Sequence, residues 1–387
     1  MQAFTYRYPV GVYFGEGAAK SALGHELASF GKTIMVAFGG GSVKRNGIYD
    51  ELVSVLEAHG KRVVPFGGIM SNPTYQKVLE GARLANAEGV DAILAVGGGS
   101  VIDCSKIIAV QARTGKDVWT MQYVDHQMPA KALKLGAVVT AFGTGAEMNN
   151  GAVITNVEKR MKAPLQGAFA SFAVLDPSYT MTMPMGQVVS GSFDILSHCM
   201  ETYLGSPREE NLSDALNEAV MRSVIRNIRQ TLRQPGDKQV RSELVWAAAM
   251  GENGILKLGK TTDFQCHMLE HQVGAYTNCN HGQGLAVIHP VLYRHLYKEN
   301  PRQFARLART VWGVEPEGRS DEEVAMQGIK LLASFIKEIG LPSTFDSMGI
   351  DVTKDAPAIA HSTIRTPGCA KRFSDEELET ILRECQG

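Results

Sequence analysis

Along the first 180 residues, short apolar runs alternate with stretches whose apolar residues recur every three or four positions. Thr33-Ile34-Met35-Val36-Ala37-Phe38 reads as a buried strand that ends in Gly39-Gly40-Gly41-Ser42. Ile48, Leu52, Val55 and Leu56 then share one face of a helix. Arg62–Phe66 is the next strand, closed by Gly67-Gly68 and a loop through Asn72-Pro73-Thr74. A helix carrying Val78, Leu79, Ala82 and Leu84 leads to the strand Ala92–Val96. That strand runs directly into Gly97-Gly98-Gly99-Ser100 and a helix with Ile102, Ile107 and Val110. The strand Ala137–Thr140 follows and ends at Gly143-Thr144-Gly145. Strand, glycine turn, helix and strand in repetition predict a parallel sheet wrapped by helices, an α/β fold. In such sheets ligands bind beyond the carboxyl ends of the strands, where all three glycine turns fall.

From about residue 185 strand-like alternation nearly vanishes. Helical periodicity covers Gln187–Leu204, Glu210–Leu232, Ser242–Leu258, Phe304–Val314, Glu322–Ile339 and Asp375–Arg383. Pro235-Gly236 and Pro316 punctuate between them. A chain of 387 residues exceeds one ordinary core. The expected division is an α/β domain over residues 1–184 and an all-α domain over 185–387.

Composition narrows the function classes. With 39 Lys+Arg against 40 Asp+Glu, the chain lacks the basic surplus of a general nucleic-acid binder. No apolar run is long enough to predict a membrane span, and the N-terminus lacks the pattern of a signal peptide. The six cysteines show no CxxC spacing. A reducing, cytoplasmic compartment is the expectation. The 40 glycines exceed ordinary usage, so their placement carries information.

A glycine triplet after a strand lets backbone amides approach a phosphate, with the following helix offering its positive end. One triplet alone reads as a tight turn. Two of them, Gly39–Gly41 with Ser42 and Gly97–Gly99 with Ser100, each between strand and helix, point to a dinucleotide held in a Rossmann-like manner. The spacing is not the GxGxxG fingerprint. NAD-binding sites usually place a carboxylate at the adenine ribose. Here the first strand ends in glycines followed by Ser42, Lys44 and Arg45, which leaves space and positive charge for the 2′-phosphate of NADP(H).

The second half carries a different chemistry. Asp194 and His198 stand four apart in a helical stretch, so both face one side. His267 and His271 repeat that spacing, and His281 follows after a loop. One carboxylate with several imidazoles suits Zn²⁺ or Fe²⁺ and is too nitrogen-rich for Mg²⁺ or Ca²⁺. Cys199 and Cys266 adjoin proposed ligands, but neighbouring helical side chains diverge, so both read as core residues. Cys279 is left open.

These motifs, in this order, resemble the iron-containing (group III) alcohol dehydrogenases. The match includes Val12–Ala18, Gly97–Asp103 with Lys106, Thr140 with Gly143–Gly145, Asp176-Pro177, Asp194 with His198, and His267, His271 and His281-Gly282. The turn Phe38–Lys44 is similar to the NADPH-dependent butanol dehydrogenase and aldehyde reductase branch. The resemblance implies an N-terminal nucleotide domain, a helical C-terminal domain and a metal in the cleft between them. It implies Asp194, His198, His267 and His281 as ligands, with His271 beside the nicotinamide. The implied cofactor contacts are Gly39–Ser42, Gly97–Ser100, Asp103, Thr140, Thr144, Asn149, Lys162 and Tyr179. Ala146 departs from the family, which has Ser at this point. The implied reaction is hydride transfer between NADP(H) and a small alcohol or aldehyde, in a homodimer without a nucleic-acid or membrane partner. A polyol dehydrogenase, a metal-dependent hydrolase with purely structural glycine turns, and a non-catalytic nucleotide or metal sensor are the rival readings.

Overall fold

The computed structural model describes residues 2–387. Its centre is a six-stranded parallel sheet. In chain order the strands are β1 (Gly11–Phe14), β2 (Thr33–Phe38), β3 (Arg62–Phe66), β4 (Ala92–Gly97), β5 (Lys134–Val139) and β8 (Phe172–Leu175), in the spatial order β1-β8-β5-β4-β2-β3. Between β5 and β8 the chain makes a separate antiparallel hairpin of β6 (Gly151–Asn156) and β7 (Met161–Gln166). The sequence analysis assigned no strand to β1, to this hairpin or to β8. Pro164 and the polar positions of the hairpin hide its alternation, and four-residue strands give too few positions for a pattern.

Apolar runs such as Ile34–Phe38 and Ala92–Val96 are buried throughout because helices cover both sheet faces. On one face Ile34, Val36, Leu94 and Phe172 join Leu23, Leu52 and Leu56 of the helices Ala18–Glu26 and Ile48–Ala58. The alternate residues Met35, Ala37, Ile93 and Ala95 are fully buried on the other face. Phe172 sits where β8 meets β5. A Cβ at Gly136 would lie 2.5 Å from its Cζ, so the glycine in β5 makes room for the ring. Phe30 tilts against the same ring at 5.3 Å between centroids.

The chain forms two compact units. One comprises Arg7–Pro184 with Gly236–Asn253, and the other Met185–Pro235 with Gly254–Gly387 and residues 2–6. The helix Lys238–Glu252 therefore departs from the expected division and belongs to the sheet unit. Three contacts hold it there. Arg241 donates to the Thr180 carbonyl at 2.6 Å, Asn149 donates to Glu252 at 3.0 Å, and Gly145 lies under Ala248 with no room for a side chain. The expected helix Ser242–Leu258 also ends early, at Glu252, because Gly254 turns the chain with φ +86. The second unit is built from helices, including Met185–Tyr203, Leu212–Arg233, Gln265–Thr277, His281–Leu296, Pro301–Trp312 and Asp321–Glu338. No helix among the described residues is long and apolar enough to cross a membrane.

Truncating Phe172 removes a fully buried ring whose site was shaped by Gly136. Phe172→Ala should cost about 3–5 kcal/mol, read as a lower denaturant midpoint for the sheet unit.

Candidate metal centre and nucleotide-binding turns

Three helices of the helical unit deliver the proposed ligands. Asp194 and His198 lie on Met185–Tyr203, His267 and His271 on Gln265–Thr277, and His281 is the first residue of His281–Leu296. The Asn280 side chain caps that third helix by accepting from the Gln283 amide at 3.1 Å. A Cβ on Gly282 would lie 2.2 Å from the Ser190 carbonyl oxygen. Only glycine lets the helix start come this close to Met185–Tyr203, and this approach carries His281 to Asp194.

Asp194 Oδ1 lies 3.5 Å from His267 Nε2 and 3.5 Å from His281 Nε2. One donor atom from each of these three residues falls within 4.8 Å of the others. Asp194 Oδ1 and His267 Nε2 are buried and find no hydrogen-bond partner, though burial ordinarily demands one. Converging, unsatisfied oxygen and nitrogen donors fit a divalent transition metal. His198 stands beside the trio, its Nδ1 3.6 Å from the same Asp194 oxygen and its ring stacked on His267 at 4.4 Å. His271 stacks on the His281 ring at 5.4 Å and, with Glu270, forms a second close group around His281.

Sequence reasoning missed two carboxylates behind these imidazoles. Glu201 accepts from His267 Nδ1, and Glu270 accepts from His281 Nδ1. Each bond uses the far ring nitrogen and turns Nε2 toward Asp194, the usual means of fixing a metal-binding tautomer. Glu201 also accepts the Cys266 amide at 2.6 Å and the His267 amide at 3.2 Å, so it anchors the start of that helix as well. The signal for Glu201 was its place seven residues after Asp194, two helical turns along the same face. Glu270 follows His267 by three. Neither spacing tells that the carboxylate is buried, which is what makes it notable. Cys199, Cys266 and Cys279 are buried, and the Cys279 thiol donates to Glu270 at 3.5 Å.

The charges are interlocked. Burial would raise the Asp194 carboxyl, but His198, His281 and His267 hold it well below the usual carboxylate range. Burial opposes protonation of His267, yet Glu201 and Asp194 raise it to about 10. His289, fully buried and bonded through Nε2 to Ser197 at 2.6 Å, is lowered to about 4 by burial.

In the sheet unit, Gly39–Ser42, Gly97–Ser100 and Thr140 lie at the carboxyl ends of the neighbouring strands β2, β4 and β5. The Thr140 amide donates to Gly97 at 3.0 Å and ties two of these turns together. The helix Gly99–Gln111 starts without a side-chain cap, which leaves its first turn suited to a phosphate. A Cβ on Gly99 would strike Thr144 Oγ1 at 2.2 Å, whereas one on Gly40 would meet nothing within 4 Å. Asp103 and Asn149 are tied into the protein. Asp103 accepts the Val153 amide at 2.9 Å, and Asn149 accepts from the buried Lys106 at 2.9 Å. Lys162 is buried in β7, opposite Thr155 of β6. Tyr179 is buried and donates to Glu51 at 2.8 Å; burial first, then this bond, raises its hydroxyl pKa.

The family described as iron-containing alcohol dehydrogenase matches residues 9–177, and its C-terminal counterpart matches residues 188–385. The chain is 35% identical to the probable NADH-dependent butanol dehydrogenase 1 of Bacillus subtilis, over 99% of both chains. It is 32% identical to the NADPH-dependent aldehyde reductase YqhD of Escherichia coli, over 91% of this chain and 90% of that one. The crystal structure of NADH-dependent butanol dehydrogenase A from Thermotoga maritima superposes with a TM-score of 0.94 at 30% identity, covering 100% of this chain and 99% of the other.

Glu201→Gln and Glu270→Gln should each weaken Zn²⁺ affinity about 10–100-fold in chelator competition, with helix content unchanged. Because His267 in the metal-free protein holds its proton up to about pH 10, an ion must displace that proton. Zn²⁺ affinity should therefore rise with pH from 6 to 9; a flat profile would contradict the assignment of His267.

Proposed function

The chain belongs to the iron-containing alcohol dehydrogenase family, and from that premise we propose that it transfers a hydride between NADP(H) and a primary alcohol or aldehyde of about the size of butanol or butanal. That it is an oxidoreductase of this family follows from the comparisons. The choice of nucleotide, metal and substrate is our reading. The observation that carries it is the convergence of Asp194, His267 and His281, with buried, unsatisfied atoms on the first two and carboxylates holding both imidazoles from behind.

A divalent ion, Fe²⁺ or Zn²⁺, would supply Lewis-acid polarisation of the substrate oxygen, and the nicotinamide would supply or accept the hydride. In our assignment Asp194, His198, His267 and His281 hold the ion. Glu201 and Glu270 keep the Nε2 lone pairs of His267 and His281 directed at it. His271, one turn beyond His267 and stacked on His281, is assigned the passage of the hydroxyl proton between substrate and solvent. Gly97–Ser100 and the first turn of the helix they open receive the pyrophosphate, and Gly39–Ser42 the adenosine end.

The preference for NADP(H) rests on the first turn. Gly40 has open space where a carboxylate would oppose a 2′-phosphate, and the Arg45 guanidinium comes within 3.7 Å of a Cβ built on Gly41. The Lys44 ammonium lies over the rings of Phe38 and Tyr49, at 4.7 and 4.6 Å. Arg45 is thus the cation left for the phosphate. The relatives' names divide between NADH and NADPH, and our reading takes this turn as the feature that selects NADP(H).

Following NADPH absorbance with butanal and with polyols, in Fe²⁺- and Zn²⁺-loaded protein, tests the whole reading. Turnover of butanal is expected. His267→Ala should lower kcat/KM at least about a hundredfold and reduce bound metal; full activity with metal retained would sink the assignment. Gly40→Asp should lower kcat/KM for NADPH relative to NADH by about tenfold or more, since it adds a carboxylate where the phosphate would lie.

A further inference from the structure

The helix Leu212–Arg233 presents arginines at positions 222, 226, 229 and 233, spaced four, three and four apart and so aligned on one face. They line a groove of about 540 Å³ together with Ile225, Gln230, Gln234 and Val311. The chain as a whole carries a net charge of −1, so this concentration is local. Arg229 is the paired member. Its Nε and Nη2 each meet Glu338 at 2.7 Å, and its guanidinium lies 5.2 Å from the Phe335 ring centre. Arg222, Arg226 and Arg233 form no ion pair among the described residues. Elsewhere Arg62, Arg294, Arg309, Arg365 and Arg383 each meet a carboxylate. Four guanidinium groups and one carboxylate leave the groove with three positive charges.

The side chains are also held in place. Arg222 donates to the Thr310 carbonyl at 3.0 Å and Arg226 to the Ser223 hydroxyl at 3.2 Å. Each of these bonds uses one of a guanidinium's five N–H donors, and the rest stay available in a fork that matches phosphate oxygens. Pre-positioned cations lose little freedom on binding, which favours a specific ligand over loose ion accumulation. We propose that this groove binds a compact polyphosphate anion, the class that includes inorganic triphosphate and the triphosphate of a nucleotide. The four arginines span about 16 Å of helix, the reach of a small molecule. A nucleic-acid surface would need a longer track of cations.

Isothermal titration of the full chain with sodium triphosphate, with ATP and with a thymidine 20-mer tests the site. Arg226 and Arg233 are exposed and form no ion pair among the described residues, so the double variant R226Q/R233Q removes two charges at the cost of only the Arg226–Ser223 hydrogen bond. One saturable triphosphate site is expected, weakened at least tenfold in the double variant and changed less than twofold in R383Q. An affinity for ATP equal to that for triphosphate assigns the anion alone as the ligand, and tighter ATP binding assigns a nucleotide. Either result supports the proposal when the double variant loses it. Three results overturn it: no binding, binding that the double variant retains, or an oligonucleotide preferred over both small anions. Retained binding would place the anion at the glycine-rich turns.

Discussion

A carboxylate and several imidazoles cannot be buried side by side in a helical core unless their charges and hydrogen bonds are arranged for one another. Asp194 is the point about which that arrangement turns. It lies in the middle of a helix whose last ten residues before Tyr203 are all buried, and three histidines lie within 3.6 Å of its Oδ1. Left to burial alone it would be protonated, and the histidines keep it anionic. Two of them in turn depend on carboxylates: Glu201 and Glu270 fix the ring orientations of His267 and His281, and Glu201 also favours the charged form of His267. The packing follows this requirement. Gly282 lets one helix start touch another helix's backbone, and Gly284 lets the same helix pass Glu270.

The sheet unit meets its own requirement by a different route. Parallel strands end together along one edge, and glycines there serve two distinct purposes. Gly97 and Gly99 are glycines because neighbouring side chains, Val101 and Thr144, already fill the space a Cβ would take. Gly40 is surrounded by open space instead, so its lack of a side chain shapes what can approach from outside. Two triplets that look alike in sequence thus differ in whether their glycines make room for the protein's own side chains or border open space.

Legibility followed the range of the underlying interaction. The long strands β2 and β4 and the helices Met185–Tyr203 and Asp321–Glu338 were readable because burial on a fixed face imprints a local period. The short strands β1 and β8 were not, since four residues give too few positions for a pattern, and the hairpin β6–β7 was not, since Pro164 and its polar positions interrupt the alternation. The helix Lys238–Glu252 was readable as a helix, but its allegiance to the sheet unit rests on contacts with Thr180, Asn149 and Gly145, distant in sequence. Among the candidate site residues, the pairs at helical spacing announced themselves. Glu201 and Glu270 did not, because an acidic residue on a helix is ordinarily solvated.

By itself the sequence determined the kind of chemistry: glycine triplets at strand ends, and a carboxylate with histidines at helical spacing. Those are properties of backbone geometry and donor type, which act over a few residues. Tertiary structure alone decided which oxygen and which nitrogens converge, and which carboxylates stand behind them. It also decided which of several adjacent glycines leaves open space. Such outcomes depend on helices separated by some seventy residues of chain meeting at one point, as Asp194 and His267 do at 3.5 Å. No local pattern encodes that approach, because it is set by the packing of whole helices and by the few glycines that permit it.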